Sequence, residues 1–283
     1  MTQYFLSHEP VIRLTVFLGM LALMALWELA APCRRNDLPR LIRWSNNLAL
    51  VVIDSIVLRL GFPILATGLA IWAADNGWGL FNLLALPGWV GFGLGFILLD
   101  LAIYGQHALF HRVPWLWRLH RMHHADQDFD LTTGLRFHPG EIVVSMVIKL
   151  GLVLALGVPP AAVLLFEVVL NATSIFNHAN VRIAPGLDRA LRLLVVTPDM
   201  HRLHHSTNPL ETHSNFGFNL PWWDWLFRTY RAQPLLGHPG MQIGLPLFRT
   251  PRDQWIDRML VQPFVTPAAV SPPLAGPAGS DAP

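Results

Sequence analysis

The stretch WGLFNLLALPGWVGFGLGFILLDLAIYGQHALFH, residues 78–111, joins a long apolar run to two histidines four residues apart. A bilayer core of roughly 30 Å is crossed by about 20 helical residues, so the run over 78–105 is predicted to span a membrane. His107 and His111 then share one face of the helix, because residues at i and i+4 are neighbours. The stretch therefore predicts a membrane helix that delivers two imidazoles to its end, as a metal site would need.

Four further apolar segments, 11–31, 48–74, 142–156 and 161–176, extend this pattern along the chain. The 283 residues are 53% hydrophobic and only 13% charged, against about 25% charged in soluble domains. We therefore expect an all-α integral membrane bundle of four or five helices. Residues 1–262 are predicted to form one membrane-embedded catalytic domain. Residues 263–283, rich in Pro, Ala, Gly and Ser, are predicted to be a disordered tail.

Basic residues predict the orientation of this bundle. The loop between the first two apolar segments carries Arg34, Arg35, Arg40 and Arg43. Loops rich in Lys and Arg stay in the cytoplasm. Following the chain from there, the third segment ends at His107 on the cytoplasmic side, and the fifth returns there at His178. We expect a multi-pass protein with its active site on that side, under a helical cap near residues 186–255.

Two further histidine motifs share one spacing, H-x-x-H-H: HRMHH at 120–124 and HRLHH at 201–205. The second has its own helix start, with Thr197 as N-cap, Pro198 in the first turn and Asp199 at the positive helix end. Positions i, i+3 and i+4 fall on one side of a helix. Each motif is therefore expected to direct its three imidazoles to one face.

The number of histidines predicts two metal ions. The motifs and the lone His178 supply His107, His111, His120, His123, His124, His178, His201, His204 and His205. One ion of four to six ligands cannot take them all. Imidazole suits Zn, Cu, Fe and Ni, whereas structural zinc sites stop at four ligands and favour cysteine, of which the chain has one. We expect two iron ions with open positions for O₂, and zinc as a substitute in purified protein.

Taken together, the motifs resemble the fatty acid hydroxylase/sterol desaturase superfamily over about Trp89–Tyr230. The matching stretches are HALFH (107–111), HRMHH (120–124), NHAN (177–180) and TPDMHRLHHS (197–206), followed by NFGFNLPWWDWLFRTY (215–230). Several branches carry a paired H-x-x-x-H near the third site. Here His178 stands alone, with Ser174 before it and Arg182 after it. That pattern is similar to the alkylglycerol monooxygenase-like branch and its bacterial relatives.

The resemblance implies that the nine histidines named above bind two irons in a membrane enzyme. His138, Asp199, Asn215 and Asp224 are candidates to hold those ligands by hydrogen bonds, and His138 is also a candidate ligand. For Asp224 the sequence leaves two interpretations open: it orients a ligand imidazole, or it pairs with Arg228 at i+4.

The predicted activity is O₂-dependent hydroxylation or desaturation of a lipid from the bilayer, with electrons from a separate protein, because no flavin or haem motif is present. No nucleic-acid partner is expected, and the oligomeric state stays open. A membrane metal-binding or transport protein is a competing hypothesis, for which ionisable residues would be spread through the bilayer depth. A zinc-dependent membrane hydrolase is another, weakened by the lack of an H-E-x-x-H motif.

Overall fold

The computed structural model describes residues 2–266, and every regular element in that part of the chain is helical. The α-helices are α1 (Thr2–Ser7), α2 (Glu9–Ala30), α3 (Arg40–Gly61), α4 (Ala66–Asp75), α5 (Leu80–Leu83), α6 (Gly88–Arg112), α7 (Pro114–His124), α8 (Pro139–Leu156), α9 (Pro160–Asn177), α10 (Pro185–Leu191), α11 (Pro198–His204), α12 (Pro209–Thr212), α13 (Trp222–Leu226), α14 (Gly237–Gly240) and α15 (Ile256–Val261). Short 3₁₀ helices cover Thr133–Leu135, Pro251–Gln254 and Gln262–Phe264. The all-α prediction is confirmed.

Five stretches are long and apolar enough to cross a membrane, judged by length and composition. They are Glu9–Ala30, Arg40–Leu83, Gly88–Arg112, Pro139–Leu156 and Pro160–Asn177. These stretches agree with the predicted hydrophobic helices, and the chain is an integral membrane protein.

Two of the predicted apolar segments are each interrupted in the structure, and proline explains both interruptions. The segment over 48–74 is not continuous, because α3 ends at Gly61, two residues before Pro63. The segment over 78–105 is broken before Gly88, since Pro87 lies just before α6. Proline has no amide hydrogen and disfavours helix in the residue before it. Helix α6 instead continues to Arg112, so that its two histidines lie within its last turns.

At one end of the bundle, the residues before α6 pack against the turn between α8 and α9. Gly79 adopts φ +94°, and a Cβ on it would lie 2.1 Å from the amide nitrogen of Gly157. Phe81, Val158 and Ala162 form the apolar core beside this contact. Glycine is needed at residue 79 because the two backbones touch there.

At the opposite end, polar contacts join the ends of α2, α3 and α9. The carboxylate of Glu28, near the end of α2, accepts hydrogen bonds from the amides of Leu131 (2.8 Å) and Asn180 (2.6 Å). Arg43, near the start of α3, binds Asp126 with a 2.7 Å contact and also binds Asp130. These contacts place the loop after α7 and the end of α9 in one region, where the histidines lie.

The C-terminal boundary also differs from the prediction. The tail was expected to start at residue 263, but Gln262–Phe264 form a 3₁₀ helix and Pro263 is buried. Arg118 donates to the carbonyl of Pro263 (2.5 Å), and Arg121 donates to that of Val265 (2.5 Å). These charged donors order the chain beyond the predicted boundary. Residues 267–283 of the predicted tail lie outside the described residues.

Candidate metal centre

The structure brings all nine predicted histidines together in two adjacent groups, and each of them is buried. The five-histidine group consists of His107, His111, His120, His124 and His204. The four-histidine group consists of His123, His178, His201 and His205. In each group, one nitrogen from every ring lies within 4.8 Å of the others.

Each H-x-x-H-H motif contributes to both groups, although the sequence had led us to expect that it would direct its three imidazoles to one face. In α7 the i and i+4 residues, His120 and His124, join the five-histidine group, while His123 joins the other. In α11 the reverse holds, because His204 at i+3 joins the five-histidine group. Positions i+3 and i+4 differ by about 100° around a helix, so neighbouring histidines face two different centres. The repeated spacing thus lets each motif contribute to both groups.

Backbone carbonyls fix the orientation of three of the imidazoles. The Nδ1 atom of His107 lies 2.9 Å from the carbonyl oxygen of Phe216, and that of His204 lies 2.7 Å from the carbonyl oxygen of Ser214. The Nδ1 atom of His178 lies 2.8 Å from the carbonyl of Ser174. A carbonyl can only accept, so Nδ1 carries the hydrogen in each ring and Nε2 presents a lone pair.

Each of these Nε2 atoms lies close to the Nε2 atom of another imidazole. The distances between them show whether the residues fit a metal. The Nε2 atoms of His204 and His107 are 3.0 Å apart. The Nε2 atom of His178 lies 3.2 Å from that of His123 and 3.0 Å from that of His201. The Nε2 atoms of His107 and His204 are both acceptors and cannot bond to each other, but both can bind a cation at about 2.0–2.1 Å, the usual metal–imidazole distance. The arrangement fits metal ions.

Unpartnered nitrogens give the same answer. Among the described residues, both ring nitrogens of His111, His124 and His205 are buried without a hydrogen-bond partner. A buried polar atom without a partner costs about 1–3 kcal/mol of folding stability. Six such atoms in one place would therefore destabilise the fold strongly unless a ligand bound them. Imidazole lone pairs suit iron, zinc and copper, and the donor set alone does not choose among them.

Burial keeps the rings of His124, His178 and His205 neutral, as metal ligands must be. Loss of hydration lowers the pKa of His178 from 6.5 to about 3. The same cause, followed by repulsion from neighbouring imidazoles, holds the pKa of His124 and His205 well below the usual value. The rings therefore offer lone pairs rather than protons at neutral pH.

Glu141 is a member of the site that the sequence analysis missed. Its carboxylate Oε1 lies 2.7 Å from Nδ1 of His120, and both groups are buried. A carboxylate behind a metal-binding imidazole fixes the ring and raises its basicity. No local signal marks this role, because the position of Glu141 three residues after His138 in HPGE predicts a bond to the start of its own helix and not to an imidazole of α7.

Of the four predicted supporting residues, His138 and Asp199 do not contact the two groups. His138 caps α8, with Nδ1 accepting the amide hydrogen of Gly140 at 3.0 Å and Nε2 lying 3.2 Å from the carbonyl of Leu260. Asp199 pairs with the guanidinium of Arg202 instead. His138 has no ring nitrogen free to bind a metal, since both of its nitrogens already make these contacts.

The other two act on the backbone that carries the acceptors. Asp224 takes the amides of Phe216 and Gly217, each at 2.8 Å, so it neither orients an imidazole directly nor pairs with Arg228. Asn215 donates to the carbonyl of Met200 at 2.9 Å. Both residues thereby fix the backbone segment whose carbonyl oxygens accept hydrogen bonds from His204 and His107.

Phenylalanine rings close the centre against water. Phe216 lies 5.5 Å from the ring of His204, and Phe129 lies 5.4 Å from that of His178, measured between centroids. Phe218 is the partly exposed member of this wall and lies near His107 (6.4 Å) in one group and near the other group as well. The sequence analysis missed these residues, because no spacing marks a ring that packs across distant segments.

Comparison with known proteins identifies this arrangement. Residues 92–229, which include both groups, match the family model named fatty acid hydroxylase. This part of the chain is similar to fatty acid hydroxylase domains. Its bounds agree with the resemblance seen in the histidine motifs.

Relatives of the fatty acid hydroxylase domain include lipid-modifying enzymes. The chain is 32% identical to the ornithine lipid hydroxylase OlsE of Rhizobium tropici over 50% of its own length and 42% of the relative's. It is 31% identical to the alkylglycerol monooxygenase of Homo sapiens over 54% of its length and 33% of the relative's. The matches thus span less than half of either relative. No solved structure matches.

Proposed function

We propose that this protein is a membrane-bound di-iron oxygenase that hydroxylates a C–H bond of a lipid, with O₂ and electrons from a separate donor protein. The balanced reaction converts R–H, O₂, two electrons and two protons into R–OH and water. The observation that carries the proposal is the meeting of nine imidazoles in two buried groups, in one of which the Nε2 lone pairs of His107 and His204 face each other at 3.0 Å. The names of the relatives favour hydroxylation over desaturation.

The residues of the chain have three tasks in this reaction. The nine histidines hold the ions, and the carbonyls behind His107, His178 and His204 fix their rings. When bound, two irons would supply the redox chemistry that activates O₂. The apolar wall keeps water away from the reacting carbon, with Phe218 at its accessible edge. We propose that residues 1–266 act as one catalytic domain.

We also propose that the centre lies on the cytoplasmic side. Cys33 lies in the arginine-rich loop between α2 and α3, and its amide donates to the carbonyl of Asn180 (2.8 Å), close to His178. Because it is the single cysteine, a membrane-impermeant maleimide tests the side directly. Labelling in inside-out vesicles but not in intact cells is expected, and the reverse would place the centre outside.

The activity itself is tested on membranes from cells with and without the full chain. Lipid extracts are compared by mass spectrometry after growth under ¹⁸O₂. A lipid heavier by one ¹⁸O atom is expected, with iron in the purified protein. Loss of two mass units would mean desaturation, and oxygen-independent cleavage with zinc would mean hydrolysis. The His204→Ala variant should abolish the product, whereas His8→Ala, which removes an exposed imidazole outside both groups, should leave it unchanged.

A further inference from the structure

Six exposed apolar side chains follow α9 and form what we call the aromatic patch. They are Leu193, Leu194, Trp222, Trp225, Leu226 and Phe227. Leu194 is 66% exposed and Leu226 is 65% exposed. The indole of Trp222 donates to the carbonyl of Leu193 at 2.8 Å, which joins the two parts of the patch. Exposed apolar surface that is contiguous marks contact with another molecule or with a membrane.

The patch lies beside α6 and not beyond its end. The indole of Trp223 donates to the carboxylate of Asp100 (2.7 Å), and the ring of Phe227 stacks on that of Tyr104 with centroids 5.3 Å apart. Asp100 and Tyr104 precede Arg112, the last residue of α6, by twelve and eight residues. At 1.5 Å per residue, α13 lies about 12–18 Å back along the spanning helix. That position is at the depth of the bilayer.

Helix α9 contacts the residues that lead into α13 through its last turn. Asn177 at its end donates to the carbonyl of Phe218 (3.0 Å), and the hydroxyl of Thr173, one turn earlier, bonds to Asn219. The segment that leads into α13 is therefore inserted between two spanning helices. The whole segment runs back toward the membrane after leaving α9.

Composition and charge identify the molecule that covers the patch. Tryptophan is enriched where proteins meet the membrane–water boundary. Exposed Arg228 follows the patch directly, and exposed Arg189 lies on α10 just before it. Guanidinium groups beside an apolar face are attracted to anionic lipid headgroups. An aqueous protein partner would have no reason to reach this depth beside α6.

We propose that the aromatic patch is buried in the bilayer, in the leaflet on the histidine side, with its side chains about 5–10 Å below the headgroup boundary. The partner is a lipid surface that offers acyl chains to the leucine and aromatic side chains and anionic headgroups to the arginines. Part of the segment predicted to be an aqueous cap is then membrane-inserted. The proposal concerns position and does not depend on the reaction.

Matched leucines make the test possible in the full-length chain. In a Cys33→Ser background, cysteine replaces Leu194 or Leu226 in the patch, Leu210 in α12, or Leu18 in α2. Leu210 is 66% exposed and therefore matches the patch positions, while Leu18 is a lipid reference at 50% exposure in a spanning helix. A nitroxide is attached to each variant in vesicles of phosphatidylcholine and phosphatidylglycerol. Power saturation with O₂ and with a water-soluble nickel chelate then reports the depth.

Labels at Leu194 and Leu226 are expected to favour O₂, as at Leu18, whereas the label at Leu210 should be more accessible to the nickel chelate. Water-like readings at both patch positions would overturn the proposal. A lipid-like reading at Leu210 would overturn it too, since the patch would not differ from the surface around it. Two patch positions keep the test decisive if one variant fails to fold, which metal content and size-exclusion chromatography report.

Discussion

The five-histidine and four-histidine groups are built from the same side chain but are supported differently. In the five-histidine group, three rings have an acceptor behind Nδ1, and one of these acceptors is the carboxylate of Glu141. In the four-histidine group, His178 alone has one among the described residues. An anionic acceptor polarises a ligand more than a carbonyl does. The groups should therefore differ in metal affinity, with the five-histidine group binding more tightly.

Packing replaces hydrogen bonds in the four-histidine group. The ring of Phe137 stacks on that of His123 with centroids 4.6 Å apart, and Gly134 brings its turn against α9 beside His178. These contacts depend on close packing, because neighbouring side chains and backbone, and not a hydrogen-bond acceptor, hold the ring in place. The comparison teaches that one group is sensitive to charge and the other to volume.

The largest effect is expected from removing one ligand of each group, with His204→Ala for the five-histidine group and His178→Ala for the other. Each should abolish turnover, since both ions are needed, and each should lower the metal content by about one ion per chain, as one group loses a lone pair. Elemental analysis and product formation measure the two effects. Full metal and full activity in either variant would contradict the assignment of that residue.

A smaller effect should separate the groups by charge. Glu141→Ala leaves Nδ1 of His120 without its acceptor, and we expect metal affinity of the five-histidine group to fall by about 10–100-fold. Glu141→Gln keeps an oxygen acceptor but removes the charge, so its loss should be intermediate. Metal titration of the stripped protein measures both. Equal weakening of both groups would show that Glu141 acts on the fold as a whole.

The matching substitution for the four-histidine group is Gly134→Ala, which adds a methyl group to a closely packed turn. A Cβ at residue 134 would lie 2.3 Å from the carbonyl oxygen of Ser174 and 3.0 Å from Nδ1 of His178. Gly134→Ala should cost about 1–3 kcal/mol of stability through overpacking and weaken the four-histidine group selectively. Thermal unfolding and metal content measure these effects. Gly105→Ala in α6 is the control, because its Cβ meets nothing within 4 Å; an equal loss there would refute the packing argument.

The sequence predicted which histidines meet but not how they divide into two groups. Histidine spacing predicted eight of the nine residues that meet in the two groups, because ligands on helices recur at fixed intervals, and His178 was added because it follows the fifth apolar segment. It did not predict that His123 would separate from His120, since the motif fixes angles about one helix and not where α9 and α11 lie. The acceptors at Ser174, Ser214 and Phe216 are backbone atoms, which carry no residue signature. The buried pairing of Arg43 with Asp126 likewise depends on tertiary contacts.

The smallest expected effect is the pH dependence of the folding stability of the metal-free protein. Burial lowers the pKa of His178 to about 3 and holds that of His204 well below 6.5. As the pH falls below about 6.5, the unfolded chain gains protons that the folded chain refuses, so stability should decrease from there toward pH 3. Unfolding midpoints of the chelated, full-length protein measure this slope. Both His178→Ala and His204→Ala should reduce it, because each group contributes shifted imidazoles, and a midpoint that rises in acid would show that the groups are not buried as neutral rings. Adding iron should raise the midpoint but leave the slope near neutral pH unchanged, because the folded rings that it binds already hold no proton there.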